Sequence, residues 1–97
     1  MKRGGCVYIL TNKNHNVLYT GVTSQLHVRL YEHLNNKDEN SFTAKYKCTK
    51  LVYYKAFHRI EDAIAEEKRI KGGNRQQKID LINEMNPKWN DLKDSIE

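Results

Sequence analysis

Two short runs dominated by β-branched and aromatic residues open the chain, Cys6-Val7-Tyr8-Ile9-Leu10 and Val17-Leu18-Tyr19-Thr20-Gly21-Val22. The polar stretch from Asn12 to Asn16 between them is the signature of a β-hairpin. A tight connection with Thr11 opposite Asn16 sets Tyr8 opposite Tyr19 and brings both phenols to one face of the sheet. From Ser24 to about Asn36 the pattern turns helical, with Leu26, Leu30 and Leu34 on one side and Ser24 available as N-cap. Asn35 to Lys50 is polar and reads as a long loop. Leu51 to Phe57 is apolar on both faces, which predicts a third strand in a central position, covered on two sides. A second helix is expected from Ile60 to Lys71. Glu61 and Asp62 open it, and Lys68, Arg69 and Lys71 close it before Gly72-Gly73, the charge order that the helix dipole favours. Asn74 then caps a third helix to about Met85, with Ile79, Ile82 and Met85 as its buried stripe and Asn86-Pro87 as its stop. Trp89 and Leu92 are expected to dock the tail.

Length and composition narrow this picture. The 97 residues allow one domain, 1–97, because a second core would not fit. With 38% hydrophobic and 30% charged residues the chain falls in the ordinary globular range. No apolar stretch approaches the roughly 18 residues of a membrane helix, and Met1-Lys2-Arg3 leads into only a short apolar run. No membrane association and a cytoplasmic location are therefore expected. Cys6 and Cys48 form no CxxC and have no ladder of neighbouring Cys or His, so two free thiols are expected rather than a zinc site. The 17 Lys and Arg against 12 Asp and Glu give a net charge of +5. That balance suits a polyanionic partner without singling one out.

One position on the second helix departs from a simple amphipathic pattern. At about 100° per residue, Ile60, Ala63, Ile64 and Ile70 lie within roughly 60° of Glu67, so its carboxylate points along the apolar stripe. Such a group is costly unless it is paired, hydrogen-bonded or bound to a metal. It either serves a site or is satisfied by an ion pair with Arg29 or Lys71, or by water at the rim. On the first helix Arg29 and His33 sit about 40° apart, beside the leucine stripe. That placement suits a guanidinium that reaches over the sheet to a phosphate, although helical spacing alone favours a surface pair between Arg29 and Glu32.

Taken in order, Val7-Tyr8-Ile9, Tyr19-Thr20-Gly21, Arg29 with Glu32-His33, and Glu67-Lys68-Arg69-Ile70-Lys71-Gly72 resemble the motifs of the GIY-YIG nuclease superfamily, and most closely its small stand-alone bacterial members. The similarity covers nearly the whole chain. It implies an α+β fold, a small three-stranded antiparallel sheet flanked by three or more helices. It also implies hydrolysis of phosphodiester bonds in DNA with one divalent ion, in DNA repair or processing. By this resemblance Tyr8 and Tyr19 match the two triad tyrosines and Arg29 the phosphate-binding arginine. His33 matches the His or Tyr one helical turn later, and Glu67 the sole protein metal ligand. Gly21 matches the last triad residue, where a side chain would obstruct close backbone approach. Cys6 stands where the first triad has Gly, and Thr20 where the second has Ile. Val22-Thr23 follows the second triad where several branches have Lys, and Asn86 is the nearest match to the distal Asn.

In the implied mechanism Tyr8 or Tyr19, helped by His33, activates a water, and Arg29 steadies the phosphate. A Mg²⁺ or Mn²⁺ ion on Glu67 stabilises the leaving oxygen and binds weakly without DNA. A tyrosine base needs positive charge nearby, because an unperturbed phenol is only about 0.1% ionised at pH 7. Lys45, Lys47, Lys50, Lys68, Arg69, Lys71 and Arg75 are the candidate phosphate contacts. RNA stays open as a substrate, as does a protein partner that supplies specificity. The competing readings are a nucleic-acid-binding module without turnover and an accessory subunit of a larger DNA-processing complex.

Overall fold

Three antiparallel strands pair in the order β2-β1-β3, where β1 is Gly5–Thr11, β2 is Leu18–Thr23 and β3 is Lys50–Phe57. The computed structural model describes residues 4–34 and 42–95, with the side chains of His33 and Leu34 outside that set. β1 is the central strand and every residue in it is buried. β3 occupies an edge instead of the expected centre. Its apolar character on both faces arises because helices cover both faces of the sheet. Beyond Tyr54 the strand opens to solvent at Lys55 and Ala56.

The hairpin register also differs from expectation. Tyr8 pairs with Gly21, and Tyr19 pairs with Leu10. The connection is longer because the Asn12 side chain organises it. Asn12 Oδ1 accepts from the backbone of Asn16 at 3.0 Å and of Val17 at 3.2 Å, and its amide reaches the Asn16 side chain. His15 takes a φ of 58°, in the left-handed region. Since the shift is an even number of residues, the alternation of faces survives and both phenols still share one face.

On that face lie α1 (Leu26–Leu34) and α2 (Phe42–Lys45), and the buried cluster is Tyr8, Leu10, Leu30, Cys48 and Leu51. The α2 turn falls in the segment read as loop; the rest of that segment's start, and the expected helix end near Asn36, lie outside the described residues. Thr23 Oγ1 accepts from Gln25 N at 3.1 Å ahead of α1, so Thr23 rather than Ser24 shapes its entry.

The opposite face carries α3 (Ile60–Gly72) and α4 (Arg75–Met85) over Val7, Ile9, Val52, Tyr53, Ala63, Ile70 and Ile82. A Cβ on Gly5 would stand 2.8 Å from that of Ala63, so the glycine lets α3 press closely on β1. Asn74 caps α4 as expected, and Gln77 completes a capping box. Met85 is exposed, contrary to the expected stripe, and Leu81 packs in its place beside Ile82. Asn86 is buried; its amide donates to the carbonyls of Val52 at 3.2 Å and Asn90 at 2.8 Å. It thus anchors the end of α4 to the irregularity in β3, where Val52 is the extra residue between Tyr53 and Leu51. The tail docks as anticipated. Trp89 joins the α3–α4 face and Leu92 the other, with Leu92 N donating to Leu51 O at 2.7 Å.

Candidate active site

Strand alternation puts Tyr8 and Leu10 on the α1 side of β1, and pairing of Leu10 with Tyr19 puts the second phenol there too. The Tyr8 and Tyr19 ring centroids are 6.3 Å apart. A Cβ at Gly21 would lie 2.5 Å from the Tyr8 hydroxyl, so the phenol lies directly across this glycine toward the β2 edge. Gly21 is therefore needed for a side chain to pass, not for backbone approach. Tyr8 is fully buried, and Arg29 supplies its hydrogen bond from α1. The same guanidinium sends Nη1 to Glu32 Oε1 at 3.3 Å. The expected surface pair with Glu32 is thus present, and the same planar fork also reaches inward to Tyr8, a contact that helical spacing did not suggest.

Burial, and next the neighbouring Tyr19 phenol, push Tyr8 up to about 12 against the pull of Arg29. At that value about one molecule in 100,000 carries a phenolate at pH 7. In the free protein Tyr8 is a neutral hydroxyl held in place. His33 falls on the last turn of α1, and its side chain lies outside the described residues.

Glu67 is not joined to this group. It lies on α3, over the other face, where its Oε2 meets Lys71 Nζ at 2.6 Å. The seam that faces the sheet runs through Ala63 and Ile70, while Ile64 is exposed. Glu66 and Glu67 therefore sit half-buried on opposite flanks of the seam rather than one at its centre. Glu66 faces β3: Arg69 grips it at 2.8 and 2.5 Å, and this hydrogen bonding holds its carboxyl below the usual range. By helical geometry Glu67 occupies the flank toward β2. The tyrosines and Arg29 thus approach β2 from one face, and Glu67 from the other.

A half-buried carboxylate whose counter-ion is an exposed, flexible lysine is a hard oxygen donor that a divalent ion can take over. Among the described residues no cluster of three or more His, Cys, Asp or Glu side chains forms. That donor set suits Mg²⁺ or Mn²⁺, which keep most of their waters, and does not suit a thiolate-bound metal. Both cysteines are buried and free, and burial pushes both thiols up.

The candidate phosphate contacts divide between surfaces. Lys45 and Lys47 lie at α2, on the tyrosine side. Lys68, Arg69 and Lys71 lie on α3 with Arg75 at the start of α4, and Arg69 and Lys71 are already paired with Glu66 and Glu67. Arg75 donates to His15 O at 3.4 Å, and Lys50 Nζ stands 2.8 Å from His15 Nε2. Sequence reasoning missed Phe42 and Tyr46, whose rings continue outward from Tyr19. The signal was present in their i, i+4 spacing, but a single helical turn is too short to show periodicity.

These features belong to a recognised class. The family model for the GIY-YIG catalytic domain matches residues 4–80, and the chain belongs to that family. Curated relatives include UPF0213 protein SH2523 from Staphylococcus haemolyticus, 38% identical over 80% of this chain and 93% of the relative. UPF0213 protein CPE1444 from Clostridium perfringens is 40% identical over 78% of this chain and 80% of its own length. The solution NMR structure of UPF0213 protein BH0048 from Bacillus halodurans superposes with a TM-score of 0.59 at 27% identity, covering 93% of this chain and 94% of that one. Among the described residues no helix is long and apolar enough to cross a membrane.

Proposed function

We propose that residues 1–97 act as one cytoplasmic endonuclease domain that hydrolyses phosphodiester bonds in DNA with a single Mg²⁺ or Mn²⁺ ion. The observation that supports this most is the half-exposed Arg29 guanidinium hydrogen-bonded to a buried phenol beside Tyr19. Arg29 presents the rest of its fork outward to a phosphate, where it steadies equatorial charge. Tyr8, fixed across Gly21, orients the attacking water and holds its own proton until further positive charge arrives. Tyr19 closes the phosphate's other side. Glu67 would hold the ion, which when bound would supply positive charge and stabilise a leaving oxygen. Repair or processing of DNA is the setting such a cut serves. A binding module without turnover has one observation in its favour, namely that Tyr8 is fully buried, which raises its pKa and disfavours the phenolate.

The deciding experiment is metal-dependent nicking of supercoiled DNA by Glu67→Gln, with a thermal melt of the same variant. Cleavage is expected to vanish while the fold persists. Because Lys71 is exposed, loss of the ion pair should cost no more than about 1 kcal/mol. Retained cleavage by the folded variant would remove Glu67 from the site. Binding without cleavage by the unmodified protein, at any Mg²⁺ or Mn²⁺ concentration, would favour the binding module.

A further inference from the structure

The chain is hydrophilic overall, with a mean hydropathy of −0.86, and against that background three large aromatic rings are left open among the described residues, Tyr31 on α1 and the neighbouring Phe42 and Tyr46 at α2. Phe42 is 45% exposed and Tyr46 42% exposed. They are not isolated. Tyr8 and Tyr19 stand 6.3 Å apart, Tyr19 and Phe42 stack at 5.8 Å with 30° between their planes, and Phe42 and Tyr46 meet at 4.7 Å. A continuous file of rings therefore leads from the phenol that Arg29 holds to the open surface. Its inner end is fixed by the core and its outer end by the α2 turn, so the two outer rings are preorganised rather than free to collapse.

The charge around the outer rings identifies what they suit. Lys45 Nζ lies 5.5 Å from the Tyr46 ring centroid, and exposed Lys47 follows in the chain. A second copy of this chain docking here would bring the same lysines together. An anionic strand, by contrast, offers phosphates to the lysines and flat, apolar bases to the rings. We infer that Phe42 and Tyr46, flanked by Lys45 and Lys47, form a stacking subsite for a nucleobase next to the phosphate that Arg29 holds. The inference rests on the nuclease reading for the position of that phosphate. It adds a base contact that neither Tyr8, Arg29 nor Glu67 provides.

The test separates stacking from charge and binding from cleavage. An oligothymidylate of about 12 nucleotides is compared with an abasic strand of the same length and backbone, in chelator so that neither is cut. Stacking predicts that the unmodified protein binds the thymidylate about 5- to 150-fold more tightly. Phe42→Leu and Tyr46→Leu keep apolar bulk for folding and should each lower that preference, with abasic affinity changed by less than about twofold. Lys45→Gln should weaken both strands alike. Equal affinity of the unmodified protein for the two strands overturns the subsite and leaves the nuclease reading standing. Leucine variants that are folded and keep the full preference also overturn it. Failure to bind either strand at low salt removes both the subsite and the nucleic-acid reading.

Discussion

The two faces of the sheet are built from alternate residues of the same strands, yet they do different work. Val7 and Ile9 look toward α3 and α4, where they join Val52, Ala63, Ile70 and Ile82 in an apolar core. Tyr8 and Leu10 look toward α1 and α2, where a buried phenol needs a partner and obtains one from Arg29. A hydroxyl taken out of water costs free energy unless it is hydrogen-bonded, so a charged group that reaches into the second face from solvent helps to stabilise it. Apart from Glu67 on its β2 flank, the first face can be read as scaffold, and the second as scaffold with a reactive opening. Substitutions on the two should therefore separate activity from stability.

The largest effect is expected at the opening. Arg29→Lys keeps the charge but loses the fork that serves Tyr8, Glu32 and a phosphate together. Turnover should fall about a thousandfold, or about 4 kcal/mol, which single-turnover nicking would measure. The exposed Arg29–Glu32 pair contributes little to folding, but losing the donor to the buried Tyr8 hydroxyl should lower stability in the melt by up to about 3 kcal/mol. A fully active variant would reduce Arg29 to a surface ion-pair residue. The scaffold face should answer in the opposite way. Ile82 is fully buried, and Ile82→Ala should cost about 3 kcal/mol in denaturant unfolding while the folded fraction keeps its turnover. An activity loss larger than the loss of folded protein would show that the two faces are coupled.

How far the sequence reveals these faces depends on the range of the interactions involved. The strands and the helices α3 and α4 follow from local periodicity and caps, and Asn74 with Gln77 is a purely local device. The shared face of Tyr8 and Tyr19 follows from alternation. Their register does not, because it hangs on bonds from the Asn12 side chain to residues beyond the turn. The edge position of β3 was hidden because two-sided burial comes from helices that the strand's own pattern cannot locate. Glu67 was legible as a carboxylate near the apolar stripe, and so was Lys71 as one of its possible partners. The burial of Tyr8 was not, since it requires Gly21 of β2 and Arg29 of α1 to meet around one ring.

That burial gives the opening its own pH signature. The folded-state value for Tyr8, about 12, lies above the 10.0 of an ordinary phenol. The stability tied to the neutral phenol is therefore complete below pH 10 and is lost as the pH rises from 10 to 12. About 2 to 3 kcal/mol is at stake. Tyr8→Phe should show a shallower alkaline loss of stability than the unmodified protein, with Tyr53, which burial also raises, accounting for part of what remains. Identical alkaline slopes for the two proteins would mean that Tyr8 titrates like an exposed phenol.

The smallest expected change comes from a buried polar side chain on the scaffold face whose hydroxyl lacks a hydrogen-bond partner. Thr20 pairs with Ile9, so it points toward α3 in the same row as Leu18 and Val22. It is 4% exposed, and among the described residues its Oγ1 is the buried side-chain oxygen without a hydrogen-bond partner. An unsatisfied hydroxyl costs about 1 to 3 kcal/mol, part of which returns when an isosteric methyl takes its place. Thr20→Val should accordingly stabilise the protein by about 1 kcal/mol, read as a rise in Tm and in the denaturant midpoint at unchanged slope. Cleavage should be unaffected if this face is scaffold alone. A fall in Tm would show that the hydroxyl has a partner, a buried water being the simplest. Unchanged Tm with lost cleavage would place Thr20 inside the active site beside Glu67.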